Sequence, residues 1–306
     1  MRKFILGSLA ALALVVPQAV FAADTPVLVS TAVLPDVALK VASNSAITDS
    51  VANDQGVLLG GLGSDLYHIP GDAADIFYAI TDRGPNNDTV QPDKSAGTGF
   101  VVATFSPLIL KVQISGTSVK ILETHAIKTK SGAGATGLPN IKGYDAVPTD
   151  VKGITADTLY NLSGLDAEGI VKTANGDFWI VDEYAPSLAR LSSTGAIKAR
   201  YVPTGWKGNP TSFKAVKSIP ALYLTRKANR GFEALALSPD GKTLFIGLQS
   251  PLLNPTKAIG DASLATRILR FDIGSKRFTG EFAFGFEKVS LVDAKATKNS
   301  DLKLSA

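Results

Sequence analysis

The chain contains no cysteine among its 306 residues, so it can build neither a disulfide framework nor thiol chemistry. Histidine is almost as scarce. His68 and His125 lie far apart, which argues against a histidine-rich zinc centre. Charged residues make up only 19% of the chain, and the basic surplus is small. There are 31 basic and 27 acidic side chains; without Arg2 and Lys3 the balance is 29 to 27, an excess of two. That leaves no extended basic footprint for nucleic acid. Long apolar runs are missing too, except at the start. There Arg2 and Lys3 precede the apolar stretch from Phe4 to Val16, followed by Pro17 and the small-residue site Val20-Phe21-Ala22. These are the three parts of a secretory signal peptide, with cleavage expected after Ala22. The stretch is shorter than the roughly 18–20 residues a membrane span requires, and no later segment is long and apolar enough. A periplasmic or secreted protein without a membrane span is expected, with residues 23–306 as its folded domain.

What the chain does have is glycine, 28 residues of it, punctuating short β-branched and aromatic runs. Asn-Gly, Asp-Gly and Ser-Gly pairs between such runs are an all-β signature. No stretch keeps a helical period over three turns, although Ser212–Thr225 is compatible with a short helix. The segment "EGIVKTANGDFWIVDEYAP" (Glu168–Pro186) aligns without a gap on "EALALSPDGKTLFIGLQSP" (Glu233–Pro251), at an offset of 65. Glu168 meets Glu233, Asn175-Gly176 meets Asp240-Gly241, Trp179 meets Leu244 and Pro186 meets Pro251. Asn-Gly and Asp-Gly are strong hairpin signals because both central positions of a type I′ turn take positive φ. Each hairpin is followed by an outer one, Leu188–Val202 and Thr266–Phe284. An earlier copy pairs Gly60–Pro85 with the outer hairpin Leu108–Ile127.

A unit of four antiparallel strands that recurs three times is the sequence form of a β-propeller blade. A β-sandwich also uses many short strands, but offers no reason for the same acid, turn and proline to return in register. A lead strand is expected near Pro26–Leu39, and the tail "NSDLKLSA" reads as the start of another strand. The fold expected is therefore an all-β propeller of four-stranded blades, incomplete at its C-terminus.

Five carboxylates fall within Leu165–Ser187, bracketing two apolar runs. In a propeller, a residue just before the innermost strand points at the axis, so Glu168 and Glu233 are expected to converge. Ser64 or Asp65 takes the matching place in the first copy. Asp82, Asp182 and Glu183 close the second strand on the same face. Acids meeting at a channel mouth can supply the six to eight oxygens that a hard cation such as Ca²⁺ prefers. Candidate ligands are Asp82, Glu168, Asp182, Glu183 and Glu233. Asp166 belongs to the same set, although it and Asp182 also fit as caps on backbone amides. Glu168, Glu233 and Asp82 are the catalytic candidates. Arg83 and Arg230 are the substrate-binding candidates, because a planar guanidinium suits phosphate.

Plainer roles stand beside these. Glu168 and Glu233 could pair with Arg83 or Arg230 to staple neighbouring blades, and a structural ion pair perturbs an acid as much as a functional one. Asp82-Arg83-Gly84-Pro85 fits a local turn. Arg226-Lys227 reads as a solvated face, and Phe178 and Trp179 as core. Serine-hydrolase, phosphate-loop and EF-hand patterns are absent.

Three separated stretches, "YAITDRGPN" (Tyr78–Asn86), Leu165–Gly195 and "NRGFEALALSPDGKTLFIGLQSPL" (Asn229–Leu252), resemble the phytase-like family, described by its esterase-like activity of phytase. The chain departs from the family pattern at Ala234, where glycine is more usual, and in the compressed "GGLGSDL". The resemblance implies an exported β-propeller that hydrolyses phosphoric esters of small molecules, with calcium as cofactor, and whose members continue past residue 306. A non-catalytic binding propeller of the cell envelope, or a propeller hydrolase of lactones or carboxylic esters, are the rival functions.

Overall fold

The computed structural model describes residues 28–154, 159–295 and 297–305, and the signal-peptide expectation lies outside them. Regular structure falls within the unit Ala32–Ala306. The three expected units are three antiparallel sheets. The first orders β1 (Leu62–Tyr67), β2 (Ile76–Thr81), β5 (Leu108–Ser115) and β6 (Ser118–Ala126). The second orders β8 (Ala167–Lys172), β9 (Phe178–Asp182), β10 (Ser187–Leu191) and β11 (Ile197–Pro203). A fifth strand, β12 (Ala215–Ile219), joins β11 in parallel. The third orders β13 (Phe232–Leu237), β14 (Thr243–Leu248), β15 (Ala265–Asp272) and β16 (Arg277–Gly285). Strand β8 touches β1 and β2 on one side and β13 on the other, so the innermost strand of the middle sheet neighbours the innermost strands of both others. Sheets in chain order, inner edges together, are the blades of a β-propeller.

Local chemistry sets each hairpin. Gly176 closes its turn at φ 84° and Gly241 at φ 69°, which glycine adopts at no steric cost. Only the glycine of each pair has positive φ. Gly176 N–H reaches Thr173 O (2.8 Å) and Thr173 N–H reaches Asp177 O (2.9 Å), a type I turn closed by a left-handed glycine rather than the type I′ turn expected. In the third blade Ser238 N–H reaches Thr243 O, one residue further on. The gapless alignment therefore slips by one after the turn. Trp179 is equivalent to Phe245, and Glu183 to Gln249, because they pair with equivalent partners.

Alternation along β9 sends successive side chains into different blade interfaces. Phe178 and Ile180 pack with Tyr78, Ile80 and Ile109 of the first blade. Trp179 and Val181 pack with Leu244, Ile246 and Phe271 of the third. Trp179 stacks 6.0 Å from Tyr201 and lies 5.4 Å from Phe271. Gly169 permits the close approach of β8 to β13, since a Cβ there would sit 2.9 Å from that of Leu235. The outer face of the first blade is covered by helix α1 (Leu39–Ala46), with Leu39 and Ala42 packed on Leu108 and Leu110.

Four details differ from expectation. The lead strand near Pro26–Leu39 reduces, among the described residues, to two isolated bridges before α1 begins, from Val33 to Ser118 and from Ala38 to Leu58. The short helix expected over Ser212–Thr225 is instead β12 followed by a 3-10 turn at Ala221–Thr225, because Val216 and Ile219 find a parallel edge on β11. The tail forms a 3-10 turn at Asn299–Asp301, after which Leu304 N–H donates to Gln249 O. The fourth is an additional small sheet, formed by two strands between β2 and β5 and one after β6. Strands β3 (Asn86–Val90) and β4 (Ala96–Phe100) make a hairpin, joined in parallel by β7 (Val147–Thr149).

No helix among the described residues is long and apolar enough to cross a membrane. The equivalence of Trp179 and Phe245 yields a sharp contrast in stability. Trp179 is 1% exposed and Phe245 36%. Trp179→Ala is expected to cost about 3–5 kcal/mol in urea unfolding, and Phe245→Ala about 1 kcal/mol. Equal losses at the two positions would contradict the blade packing.

Candidate functional site

Each inner strand breaks its ladder at one equivalent place. The register of β1 skips between Leu62 and Asp65, that of β8 between Ala167 and Gly169, and that of β13 between Phe232 and Ala234. The residues displaced are Ser64 (with Gly63), Glu168 and Glu233. A bulge re-aims a side chain that would otherwise alternate with its neighbours. Just beyond, the second strands rejoin the first through matching bonds: Asp82 N–H to Gly61 O, Glu183 N–H to Asp166 O, and Gln249 N–H to Gly231 O. Two rings of three positions result, Ser64/Glu168/Glu233 and Asp82/Glu183/Gln249. All six are polar, and four of them are carboxyl groups.

The acids converge. Oxygens of Asp166, Glu168 and Glu183 all lie within 4.8 Å of one another. Glu183 hydrogen-bonds Glu233, whose Oε2 also accepts from Gln249 Nε2 at 2.7 Å. Two carboxyls can share a bond only if one keeps its proton. Burial, then the charges of Asp166 and Glu233, push Glu168 up to about 9, against a bond from Ser64 that pulls it down. Burial, with the charges of Asp166, Glu168 and Glu233, pushes Glu183 well above the usual carboxylate range. Burial raises Glu233 as well, and burial with the charge of Asp166 raises Asp82. Glu183 Oε1 is buried and has no hydrogen-bond partner among the described residues. Stranding an acceptor in this way costs about 1–3 kcal/mol.

Asp166 is ion-paired with the Arg83 guanidinium, and its Oδ1 also accepts from Arg83 N–H at 3.2 Å. Arg83 therefore pairs with Asp166, and neither Glu168 nor Glu233 is stapled by it. Its Nη1 reaches Asn229 Oδ1 as well, while its Nε is buried without a partner. Arg230 Nη1 is likewise buried and unpartnered.

Asp182 does not join the group. Its side chain and that of Arg200 are both 0% exposed, and they form an ion pair at 2.5 Å. Arg200 further donates to Ser187 Oγ (2.7 Å), Asn140 Oδ1 (2.9 Å) and Gly164 O (3.1 Å). Asp182 Oδ1 accepts from Asp166 N–H at 2.8 Å, and Oδ2 from Ser187 Oγ at 2.8 Å. Its oxygens are occupied from within the blade, so it is a plinth under Asp166 instead of a metal ligand. Asp166, by contrast, is one of the three converging acids. Asp82 lies outside that trio and accepts from Gly84 N–H at 2.7 Å, in keeping with a turn role, while its charge is felt by Glu168. Ser64 bonds Glu168, whereas Asp65 Oδ2 takes Ile170 N–H at 2.7 Å and stitches the first blade to the second.

Sequence reasoning missed Arg200, which stands alone in "AIKARYV" beside no acid. It also misplaced Arg226, which is 7% exposed, not solvated. Arg226 pairs with Asp145 at 2.7 Å and donates to Tyr184 O, tying the 226–231 segment across the rim.

These blades and this acid-lined rim define a β-propeller with a convergent carboxylate site. The chain belongs to the phytase-like family, described by the esterase-like activity of phytase, whose profile matches residues 57–304. A curated relative from Arthroderma benhamiae (strain ATCC MYA-4681 / CBS 112371), described as an uncharacterized secreted protein, is 27% identical over 287 residues. The match covers 77% of this chain and 54% of the relative, so the chain spans about half the length of the curated relative it matches. Among solved structures, the Dos1 propeller is 11% identical over 76% of this chain and 50% of that chain, with a TM-score of 0.30. A protein of unknown function from Bacteroides caccae is 10% identical over 68% and 54%, with a TM-score of 0.28. At such scores the overlap is loose, and the blade architecture rests on the pairing of the chain's own strands.

Raised carboxyls make stability depend on pH with a definite sign. The folded state holds the proton on Glu168 more tightly than the unfolded chain does, so this contribution is complete below about 4.5 and disappears as pH rises towards about 9. Glu183 and Glu233 act in the same direction. In chelator-treated protein the melting temperature is expected to fall progressively from pH 5 to pH 9, and Glu168→Gln to flatten that fall. A melting temperature that rises over this range contradicts the site.

Proposed function

We propose that the protein is an exported hydrolase of phosphoric esters that holds a divalent cation, Ca²⁺ in the first instance, in its rim carboxylates. The observation that carries the proposal is the convergence of one oxygen each from Asp166, Glu168 and Glu183 within 4.8 Å, on a glutamate, Glu183, whose Oε1 is buried and unpartnered. That spacing suits the donor set. Oxygens bound at about 2.3–2.6 Å to one calcium ion lie up to about 5 Å apart. Glu168 and Glu183 would hold the cation, with Asp166 shared between it and Arg83. When bound, the cation would offset charge on the phosphoryl oxygens and acidify a water.

The chain's own groups supply the rest. Arg83 Nε and Arg230 Nη1 are donors without acceptors, and both suit oxygens of an anionic ester. Asn229 and Asp166 fix the Arg83 fork, so it is oriented before substrate arrives. Glu233, bonded to Glu183 and Gln249, is placed to accept a proton from water. Asp82, whose carboxyl is shifted by burial towards its protonated form, is placed to return one to the leaving oxygen. Hydrolysis then forms one phosphorus–oxygen bond from water and breaks the one to the alcohol, with protons carried by these two carboxyls. Export is part of the same proposal. It is supported by the basic, apolar and small-residue pattern of residues 1–22 and by the secreted relative.

A panel of phosphomonoesters, phosphodiesters and carboxylic esters, assayed with and without Ca²⁺, tests this directly. Turnover of phosphoric esters is expected only with the cation. Ca²⁺ at a hundred times its dissociation constant should stabilise the fold by about 2.7 kcal/mol. Glu168→Gln combined with Glu183→Gln should abolish both effects. Turnover of carboxylic esters alone would favour the lactone- or carboxylic-ester hydrolase, and cation binding without any turnover the envelope binding propeller.

A further inference from the structure

The small β3–β4–β7 sheet has no place in a blade, and it walls a cavity of about 260 Å³. Asp88 and Phe100 come from that sheet, Asp145 from the segment before β7, Tyr184 from the β9–β10 turn, and Asn229 from the segment tied down by Arg226. Arg83 completes the wall. Arg83 also bonds Asp166, and Tyr184 directly follows Glu183, so the cavity lining reaches the carboxylate group through these two residues. Arg83 also carries the buried, unpartnered Nε.

We propose that this cavity receives the alcohol portion of the ester, and that the alcohol is a single-ring-sized group that is neutral or positively charged. The proposal rests on the phosphoric-ester reading of the neighbouring carboxylates. Size follows from the volume, which falls below the roughly 300–1,000 Å³ of sites for drug-sized ligands. Charge follows from the lining. The positive charge of Arg83 is matched by Asp166, and the negative charge of Asp145 by Arg226. Asp88 is left over; it is exposed and forms no ion pair among the described residues. A surplus negative charge in the cavity, next to a group of acids, repels any further phosphate or carboxylate on the alcohol. Phe100 and Tyr184 supply apolar surface for a ring, and an amino or quaternary ammonium substituent would meet Asp88. A multiply phosphorylated alcohol is therefore the wrong substrate for this cavity, whereas a ring alcohol bearing one phosphate fits.

Binding and turnover separate the two levels of the proposal. Benzyltrimethylammonium, benzyl alcohol and benzoate are titrated by NMR against the cation-loaded protein. Phenyl phosphates carrying a trimethylammonium or a carboxylate substituent are then compared as substrates. Benzyltrimethylammonium and benzyl alcohol are expected to bind and benzoate not to. Asp88→Lys should weaken the ammonium probe about tenfold and lower kcat/KM for the ammonium-bearing ester relative to the carboxylate-bearing one by a similar factor. Ala228→Phe, at an exposed position on the lining, should block the probes while leaving Ca²⁺ affinity unchanged. Turnover with no charge preference and no probe binding would overturn the cavity's role and leave the phosphoric-ester activity standing. Probe binding that responds to Asp88→Lys, without turnover of any phosphoric ester, would keep the cavity's ligand class and overturn the activity.

Discussion

The structure depends on carboxylates that are brought together against their own repulsion. Burying one acid without a counter-charge costs several kcal/mol, and burying several side by side costs more. Here Asp166, Glu168, Glu183 and Glu233 meet at the inner edges of two blades, and Arg83 is the one arginine ion-paired within the group among the described residues. The fold supports this because the energy comes from elsewhere. Two apolar layers between blades, one around Trp179 and one around Phe178 and Ile180, hold the strands whose bulges aim the glutamates inward. The remaining charge is managed by retained protons, and those protons are what a cation would replace.

A second buried charge has the opposite character. Arg200 and Asp182 are fully enclosed, and the hydrogen bonds around them leave each guanidinium nitrogen of Arg200 with an acceptor. Such a pair contributes little net stability over an apolar substitute, but breaking it strands a charge. Its effect is positional. Asp182 fixes the backbone of Asp166, and Asp166 fixes Arg83. Two adjacent acids, Asp182 and Glu183, thus divide the labour: one faces the blade's own network and the other faces the rim.

Much of this was legible in the sequence for reasons that can be named. The β-blades announce themselves through the returning glutamate, turn glycine and apolar runs, because each blade solves the same packing problem. The convergence of Glu168 and Glu233 follows from that repetition alone. Which of Asp182 and Glu183 reaches the rim does not follow, since one residue of slip reverses the faces of a strand. The extra residue Lys242 in the third hairpin introduced such a slip into the alignment. Arg200 was invisible because its partner lies eighteen positions earlier with no local pattern to link them. The β3–β4–β7 sheet was hidden by its composition: "NNDTV" and "AGTGF" carry few of the large apolar residues that signal a strand.

One measurement addresses the convergence most directly. Carboxyl-carbon NMR titration of glutamate-labelled protein, with divalent cations removed, reads the protonation of each glutamate in turn. At least one glutamate should titrate above pH 7, and its signal should vanish in Glu168→Gln. If every glutamate has finished titrating below pH 6, the acids do not share one enclosed space and the account of the rim fails.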